Sequence, residues 1–354
     1  MRILKYILLL FLLFLIGLTV FIITQKGDYS ITRSKIIKTP RATVYNFVND
    51  YKNWETFASW SDEKGKTQFV YPKNTIGKNA SFSWNGTTTG TIKTLEIKEN
   101  LFIKQKMTYN ETETESYWTF KDTLGKTKVT WKTKGTMDVM MKIKAFVNGG
   151  IGNTIGSLYE KTLAQLDRTL DYELNTFDIK VNGIVAKPKQ FYIAQTINSK
   201  NDKVLKNIKI MIPKMIAFFE KNDMVMHGKP FVIFNSVDDA KQISNFSVCM
   251  PIKDSVYIDP VSDVSSGKIE GFSAVKTTLT GDYSHLPKAN QKVLDYLFEN
   301  KLKRNFAILP YQVYVLSFVD EKKPSKWKTE LYYPIYPPVV PKPAVSTPTV
   351  VENQ

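Results

Sequence analysis

Nineteen residues from Tyr6 to Thr24 run without a charge, close to the ~20 that a helix needs to cross a bilayer. Beyond them the pattern breaks into short stretches. YSITRSKII (29–37) reads as a strand. Thr39 can cap a helix whose first residue is Pro40, and PRATVYNFVND then buries Val44, Phe47 and Val48. An aromatic-rich NWETFASW follows. ASFSWNG, TGTIKTLEI, LFIKQKMTY, ESYWTFKD and KTKVTWKTKGTM then read as strands separated by turn residues. Gly149, Gly150 and Gly152 precede a long helix in which Ile151, Ile155, Leu158, Leu166 and Leu170 keep near-helical spacing. Residues 27–175 therefore read as one α+β domain behind an anchor at 1–26. TFDIKVNGIVAKPKQ (176–190) reads as a connector.

An internal repeat begins at about Phe191. The first copy runs FYIAQTI, a helix NDKVLKNIKIMIPKMIAFFEKND, GKPFVIFNSVD and NFSVCMPI. The second runs GFSAVKTTL, a helix YSHLPKANQKVLDYLFENKL, LPYQVYVLSFVD and KTELYYPI. Each is strand–helix–strand–strand. Pro230 matches Pro310, Pro251 matches Pro334 and Phe219-Glu220 matches Phe298-Glu299, all about 80 residues apart. The helices carry apolar faces: Val204, Ile208, Met211, Met215 and Phe218, then Ala289, Val293, Tyr296 and Leu297. Such copies predict a pseudo-twofold pair of small sheets over 191–336, with a groove between them. After Tyr336 the prolines of PPVVPKPAVSTPTVVENQ (337–354) preclude helix and central strand, which leaves an extended or disordered tail.

The last strand contains the candidate site. In WKTELYYPI (Trp327–Ile335), alternation puts Glu330 and Tyr332 on one face and Thr329, Leu331, Tyr333 and Ile335 on the other. A strand carboxylate is costly unless a partner or water meets it. In the first copy Ser247 stands where Glu330 stands in the second, counting back from Pro251 and Pro334. The scaffold thus does not require the carboxylate, and Glu330 reads as a binding or catalytic residue.

Composition changes the picture in three places. Net charge is +16, but only five of the 49 basic residues are Arg, and the Lys are scattered singly. That reads as a solvated surface, mildly attractive to anionic headgroups, and counts against nucleic acid as a partner. The single cysteine, Cys249 in the apolar FSVCMPI, allows no intramolecular disulfide or lipid-modified cysteine after the anchor. With two histidines, His227 and His285, neither a metal site nor a cofactor is expected. Glu111, Glu113 and Glu115 alternate with Thr and read as solvated. Thr24-Gln25-Lys26 is a poor signal-peptidase site, so the anchor is read as uncleaved. Arg2 and Lys5 favour a cytoplasmic N-terminus with the body outside, against the pull of Lys26, Arg33, Lys35 and Lys38.

Two family resemblances add to this reading. The run Ile37, Pro40, Val44, Phe47 and Val48, the pair Asp50 and Trp54, and the closing helix resemble the SRPBCC superfamily of polyketide cyclase/dehydrase and lipid-transport-like proteins, which have the helix-grip (START-like) fold. The resemblance implies a curved sheet gripping the helix around an apolar cavity, which Trp84, Tyr117, Trp118 and Trp131 either line or fill. Residues 191–336 resemble the bacterial transcription-activator effector-binding domain, also called gyrase-inhibitor-like. The motifs are GKPF (Gly228–Phe231), CMPI (Cys249–Ile252), GDY (Gly281–Tyr283), PYQVY (Pro310–Tyr314) and TELYYPI (Thr329–Ile335). This resemblance implies a groove for small amphipathic, often cationic or aromatic molecules, contacted by Glu330 with Tyr283, Tyr311 and Tyr332 as neighbours. No helix-turn-helix segment precedes it. The expectation is a membrane-anchored, non-enzymatic small-molecule binder. The alternatives are a hydrolase using Glu330 as general base and lipid handling by the first domain. The sequence identifies no protein partner.

Overall fold

A computed structural model of the chain describes residues 2–59, 67–86, 89–109, 112–259 and 261–337. Glu111 and the Pro-rich stretch beyond Pro337 lie outside the described residues. The chain divides into two units, Met1–Tyr172 and Glu173–Gln354. Both are mixed α+β, each built on one antiparallel sheet.

The first unit opens with α1 (Arg2–Thr24), whose segment Ile3–Thr24 has mean hydropathy 3.1 and is almost wholly exposed. It is long and apolar enough to cross a membrane, a measure that a signal sequence also meets. β1 (Asp28–Ile37) leads to α2 (Arg41–Asn49) and a short α3 (Trp54–Phe57). β2 (Gln68–Val70), β3 (Ser81–Asn85), β4 (Gly90–Lys98), β5 (Phe102–Tyr109), β6 (Thr112–Thr123) and β7 (Lys126–Thr136) follow. Then come α4 (Val139–Val147) and the long α5 (Ile151–Asn175). The sheet order is β1-β7-β6-β5-β4-β3-β2, a meander whose last strand closes beside the first. Alternation sends Trp84, Trp118, Phe120, Val129 and Trp131 to one face, where Tyr159, Leu163, Leu166 and Leu170 of α5 meet them.

That interior is filled. Trp131 stacks on Tyr159 at 3.7 Å and on Trp118 at 4.4 Å, and Trp54 closes edge-on against both tryptophans. Tyr117 lies on the opposite face, over Lys104, because its neighbours Ser116 and Trp118 take the inward positions. Glu113 and Glu115 also face outward and pair with Lys106 and Lys104. Pro40 proves to be the N-cap of α2, with extended backbone, rather than its first residue. Its carbonyl accepts from the amides of Thr43 and Val44, so the helix begins at Arg41. The sequence reading missed α4, which starts where Asp138 accepts from the Met141 amide at 2.7 Å.

The second unit contains β8 (Asp178–Lys187), β9 (Gln190–Lys200), α6 (Val204–Lys221), β10 (Phe231–Asp238) and β11 (Ile243–Ile252). β12 (Ser265–Ile269), β13 (Phe272–Thr280), α7 (Leu286–Glu299), β14 (Tyr311–Leu316) and β15 (Lys328–Ile335) complete it. The repeat is present as β9-α6-β10-β11 and β13-α7-β14-β15. The two copies do not form separate sheets, however. One eight-stranded sheet runs β12-β9-β11-β10-β14-β15-β13-β8. It is continuous because the inner strands β10 and β14 pair, with Phe231 opposite Val313, Val232 opposite Gln312 and Ile233 opposite Tyr311. The pseudo-twofold axis therefore passes through the Val232–Gln312 pair.

The expected connector 176–190 is a further correction. Residues 178–187 form β8, which pairs with β13 along its length, and Gln190 begins β9. The ladder skips Asn182, and Gly183 has a φ of +88°, so a bulge interrupts the alternation that would have marked a strand. Gly281 of the GDY motif has a φ of +134°, and a Cβ there would meet Phe177 at 2.5 Å, so the turn into α7 excludes a side chain.

The two faces of this sheet differ. One buries Ile193, Val232, Val248, Met250, Leu279 and Leu331 under α6 and α7. From α6 come Ile208, Met211, Ile212, Met215 and Phe219, with Phe218 only half-buried. From α7, Leu286 and Ala289 join this core, and Val293 and Leu297 pack on Val275 and Ile335. The other face gathers Ala194, Phe231, Ile233, Cys249, Tyr311 and Tyr332, and neither α6 nor α7 contributes to it.

Candidate functional site

The side chains of Glu330, Tyr332 and Tyr311 come together on the face turned away from α6 and α7. Glu330 and Tyr332 project from β15 two residues apart, and the Tyr332 hydroxyl donates to Glu330 Oε2 at 2.6 Å. β14 runs alongside, with Tyr311 opposite Tyr332, and their rings stack at 5.2 Å. The stack continues across the pseudo-twofold seam. Tyr311 meets Phe231 at 5.3 Å, Phe231 meets Tyr192 edge-on at 5.5 Å, and Phe272 meets Tyr311 edge-on at 6.1 Å. Tyr192 lies flat on Gly267 of β12, where a Cβ would come within 2.5 Å of the ring.

Tyr283 is not part of this arrangement. It opens the turn into α7 on the opposite face and is buried against Trp327, Tyr314 and Phe318. The GDY motif thus supplies a core tyrosine, placed by the Gly281 turn, on the face opposite Glu330.

Sequence reasoning missed two lysines. Lys276 of β13 sits opposite Tyr332, and its ammonium meets Glu330 Oε1 at 2.7 Å. Lys187, the last residue of β8, places its ammonium 4.4 Å from the centre of the Tyr332 ring, a cation–π contact. Cross-strand position could have flagged Lys276 once the β13–β15 register was known. Lys187 lay in the supposed connector.

These neighbours set the charge states. Burial alone raises the Glu330 pKa, but hydrogen bonds from Lys276 and Tyr332 and the charges of Lys276 and Lys187 outweigh it and leave it below the ordinary carboxylate value. Burial raises the Tyr332 hydroxyl, and the Glu330 carboxylate raises it further. Tyr311 is raised by burial and by Glu330. Burial lowers Lys187, partly offset by the Glu330 charge, while Lys276 lowers it again. Chemically this is an ionised carboxylate held by two donors, beside stacked rings and a second ammonium.

The matching place in the other half is neutral. Ser247 hydrogen-bonds Thr196 at 2.7 Å and Asn235 at 2.8 Å, and Asn235 bonds Asn245. Cys249 stands in the place of Tyr332, with Ala194 opposite it where Lys276 faces Tyr332. Among the described residues, no group of three His, Cys, Asp or Glu side chains could hold a metal ion.

No protein-family model matches the chain, and no curated protein matches it either. Several solved structures are similar at low identity. EcmrR, in a complex with DNA, is 12% identical, with 56% of this chain and 69% of that chain covered and a TM-score of 0.39. The EcmrR C-terminal domain is 13% identical, with 45% of this chain and 98% of that one covered and a TM-score of 0.39. Protein CV1439 from Chromobacterium violaceum is 10% identical, with 40% and 96% covered and a TM-score of 0.31. Likenesses this distant carry no residue role across. They do require one correction. The exclusion of nucleic acid as a partner is withdrawn, because a matched protein is seen with DNA. Scattered lysines are no barrier, since phosphate contacts need positive charge rather than clustered arginine.

Proposed function

We propose that the second unit is an effector-binding module that takes a small amphipathic aromatic molecule on the sheet face turned away from α6 and α7. The observation that carries this is the asymmetry of the repeat. One backbone design supports a neutral Ser–Thr–Asn network in one half and an ionised Glu330 with Tyr332, Tyr311 and two lysines in the other. A scaffold role needs no charge at these positions, as the neutral half shows, so the charged half is the specific one. The half-buried rings of Tyr192 and Phe272 extend the apolar surface on which a flat molecule would stack.

The other readings gain less. A general base works best with a pKa near the working pH, whereas Lys276 and Tyr332 hold Glu330 low. Lipid handling by the first unit would need an apolar cavity where Trp54, Trp118, Trp131 and Tyr159 pack ring on ring. We read that unit as a helix-grip scaffold of the SRPBCC kind, on its strand order and closing helix. We read α1 as a membrane anchor with the body outside the cytoplasm, on its length, its hydropathy and Arg2 and Lys5 before it.

The test is a titration of the full chain in nonionic detergent with three naphthalene probes of one shape: 2-naphthoate, 2-naphthalenemethanol and 2-naphthylmethylammonium. At least one should bind saturably, and Tyr311→Ala should weaken it by about two- to tenfold, the size of one aromatic contact. Saturable binding by none of the three, or binding indifferent to Tyr311→Ala, would overturn the reading.

A further inference from the structure

We infer that this site selects an organic anion, an aromatic carboxylate or its like, and not an organic cation. The inference rests on the binding reading above and concerns only the charge of the ligand. It comes from counting the charges around Tyr332. Two ammonium groups, Lys187 and Lys276, lie 4.4 and 5.9 Å from the centre of its ring. One carboxylate, Glu330, accompanies them, and Lys276 already neutralises it at 2.7 Å. The site therefore holds one positive charge in excess.

Lys187 is that excess. Among the described residues its ammonium has no carboxylate within ion-pair distance; its contact is the face of Tyr332. The side chain is half-buried, at the end of β8 where the chain turns towards β9. An ammonium so placed has given up water without gaining a direct ion-pair partner, and the fall in its pKa on burial, only partly offset by the more distant Glu330, agrees. An anion arriving there gains a charge-assisted hydrogen bond and relieves that cost. A cation meets the reverse. The Tyr332 face is already covered by Lys187, the Glu330 carboxylate is already bonded to Lys276, and the net positive charge opposes entry.

The geometry also sets the shape of the ligand. The Tyr332–Tyr311–Phe231 stack runs from Lys187 across the seam towards the neutral half. Those rings are buried, so an acid group at Lys187 would leave the apolar body of the ligand over the half-buried Phe272, which pairs with Lys187 across β8 and β13 and meets Tyr311 edge-on. Ser247, Thr196 and Asn235, beyond the seam, offer neutral hydrogen bonds to a polar atom at the far end.

The same three probes separate this inference from the binding reading. With the full chain at pH 7, 2-naphthoate should bind tightest, about tenfold or more over 2-naphthylmethylammonium, equivalent to about 1.4 kcal/mol. Lys187→Gln should weaken 2-naphthoate about tenfold and 2-naphthalenemethanol far less, because only the anion pairs with the ammonium charge. Glu330→Gln should tighten 2-naphthoate. Tighter binding of the ammonium probe, or equal binding of all three, would overturn the inference while the binding reading stands. Indifference of 2-naphthoate to Lys187→Gln would do the same. If no probe binds, both fall.

Discussion

The two halves of the second unit share a backbone and differ in chemistry. About the Val232–Gln312 axis, Phe231 matches Tyr311 and Ile233 matches Val313, so the seam is nearly symmetric in shape. One strand further out the symmetry of chemistry ends. β11 presents Ser247 and Cys249, opposite Thr196 and Ala194 of β9. β15 presents Glu330 and Tyr332, opposite Thr278 and Lys276 of β13. The edges differ too: β12 brings Gly267 under Tyr192, whereas β8 brings Lys187 over Tyr332. The neutral half shows what the fold requires at these positions, namely a small polar group and a small apolar one. The tyrosine and three charges of the other half are additions to that minimum.

The additions have become part of the packing, and that gives the largest expected effect. Tyr332 is 4% exposed and stacked on Tyr311, so Tyr332→Ala should cost about 3–5 kcal/mol of stability, the range for an aromatic core truncation. Cys249→Ala, at the matching place, removes one atom from a site of the same burial and should cost about 1 kcal/mol. Urea unfolding of both variants beside the parent measures the contrast. Equal losses would mean that the halves are packed alike and that the comparison has no energetic content.

A transplant gives the next effect. Ser247→Glu puts a carboxylate among Thr196 and Asn235 with no ammonium opposite, and should destabilise by about 1–3 kcal/mol. Adding Ala194→Lys recreates the register of Lys276 and Glu330. The double variant should recover part of the loss, with a coupling of about 0.5–3 kcal/mol in a double-mutant cycle. Additive losses would show that the charged half depends on something other than cross-strand register.

How far the sequence disclosed this arrangement depends on the range of the interactions involved. Local signals were legible. The period of two in KTELYYPI placed Glu330 and Tyr332 on one face, and the prolines and the Phe-Glu pairs aligned the two copies. Pairing between distant strands was not. Nothing local says that β10 and β14 join, so a single sheet was read as two. The bulge at Asn182 and Gly183 hid β8, and with it Lys187. Tyr283 was placed by motif, but its direction is fixed by the Gly281 turn and by Trp327, far along the chain. In the first unit, Trp118 and Trp131 could be assigned to the interior by alternation. Only their stacking on Tyr159 of α5 shows that they fill it.

The smallest effect is in pH. Glu330 has a folded pKa below its ordinary value of 4.5, held there by Lys276 and Tyr332 against the opposing effect of burial. A carboxylate with a depressed folded pKa contributes stability that is fully present above the unfolded pKa and lost as pH falls through the folded one. The Glu330 contribution should therefore be level above about pH 5 and decline below the ordinary carboxylate range. Its side chain is 20% exposed, so water and salt screen the pair in part, and the contribution should stay under about 1 kcal/mol. Glu330→Gln keeps an acceptor for Tyr332 and removes the titration, so the gap between it and the parent should narrow as pH drops from 6 to 3. Ser247→Ala, in the neutral half, should give a gap that changes much less over that range, because its hydrogen-bond partners, Thr196 and Asn235, do not titrate. Parallel curves for all three proteins would show that Lys276 does not hold Glu330 in its ionised form, and the charged half would lose the feature that sets it apart.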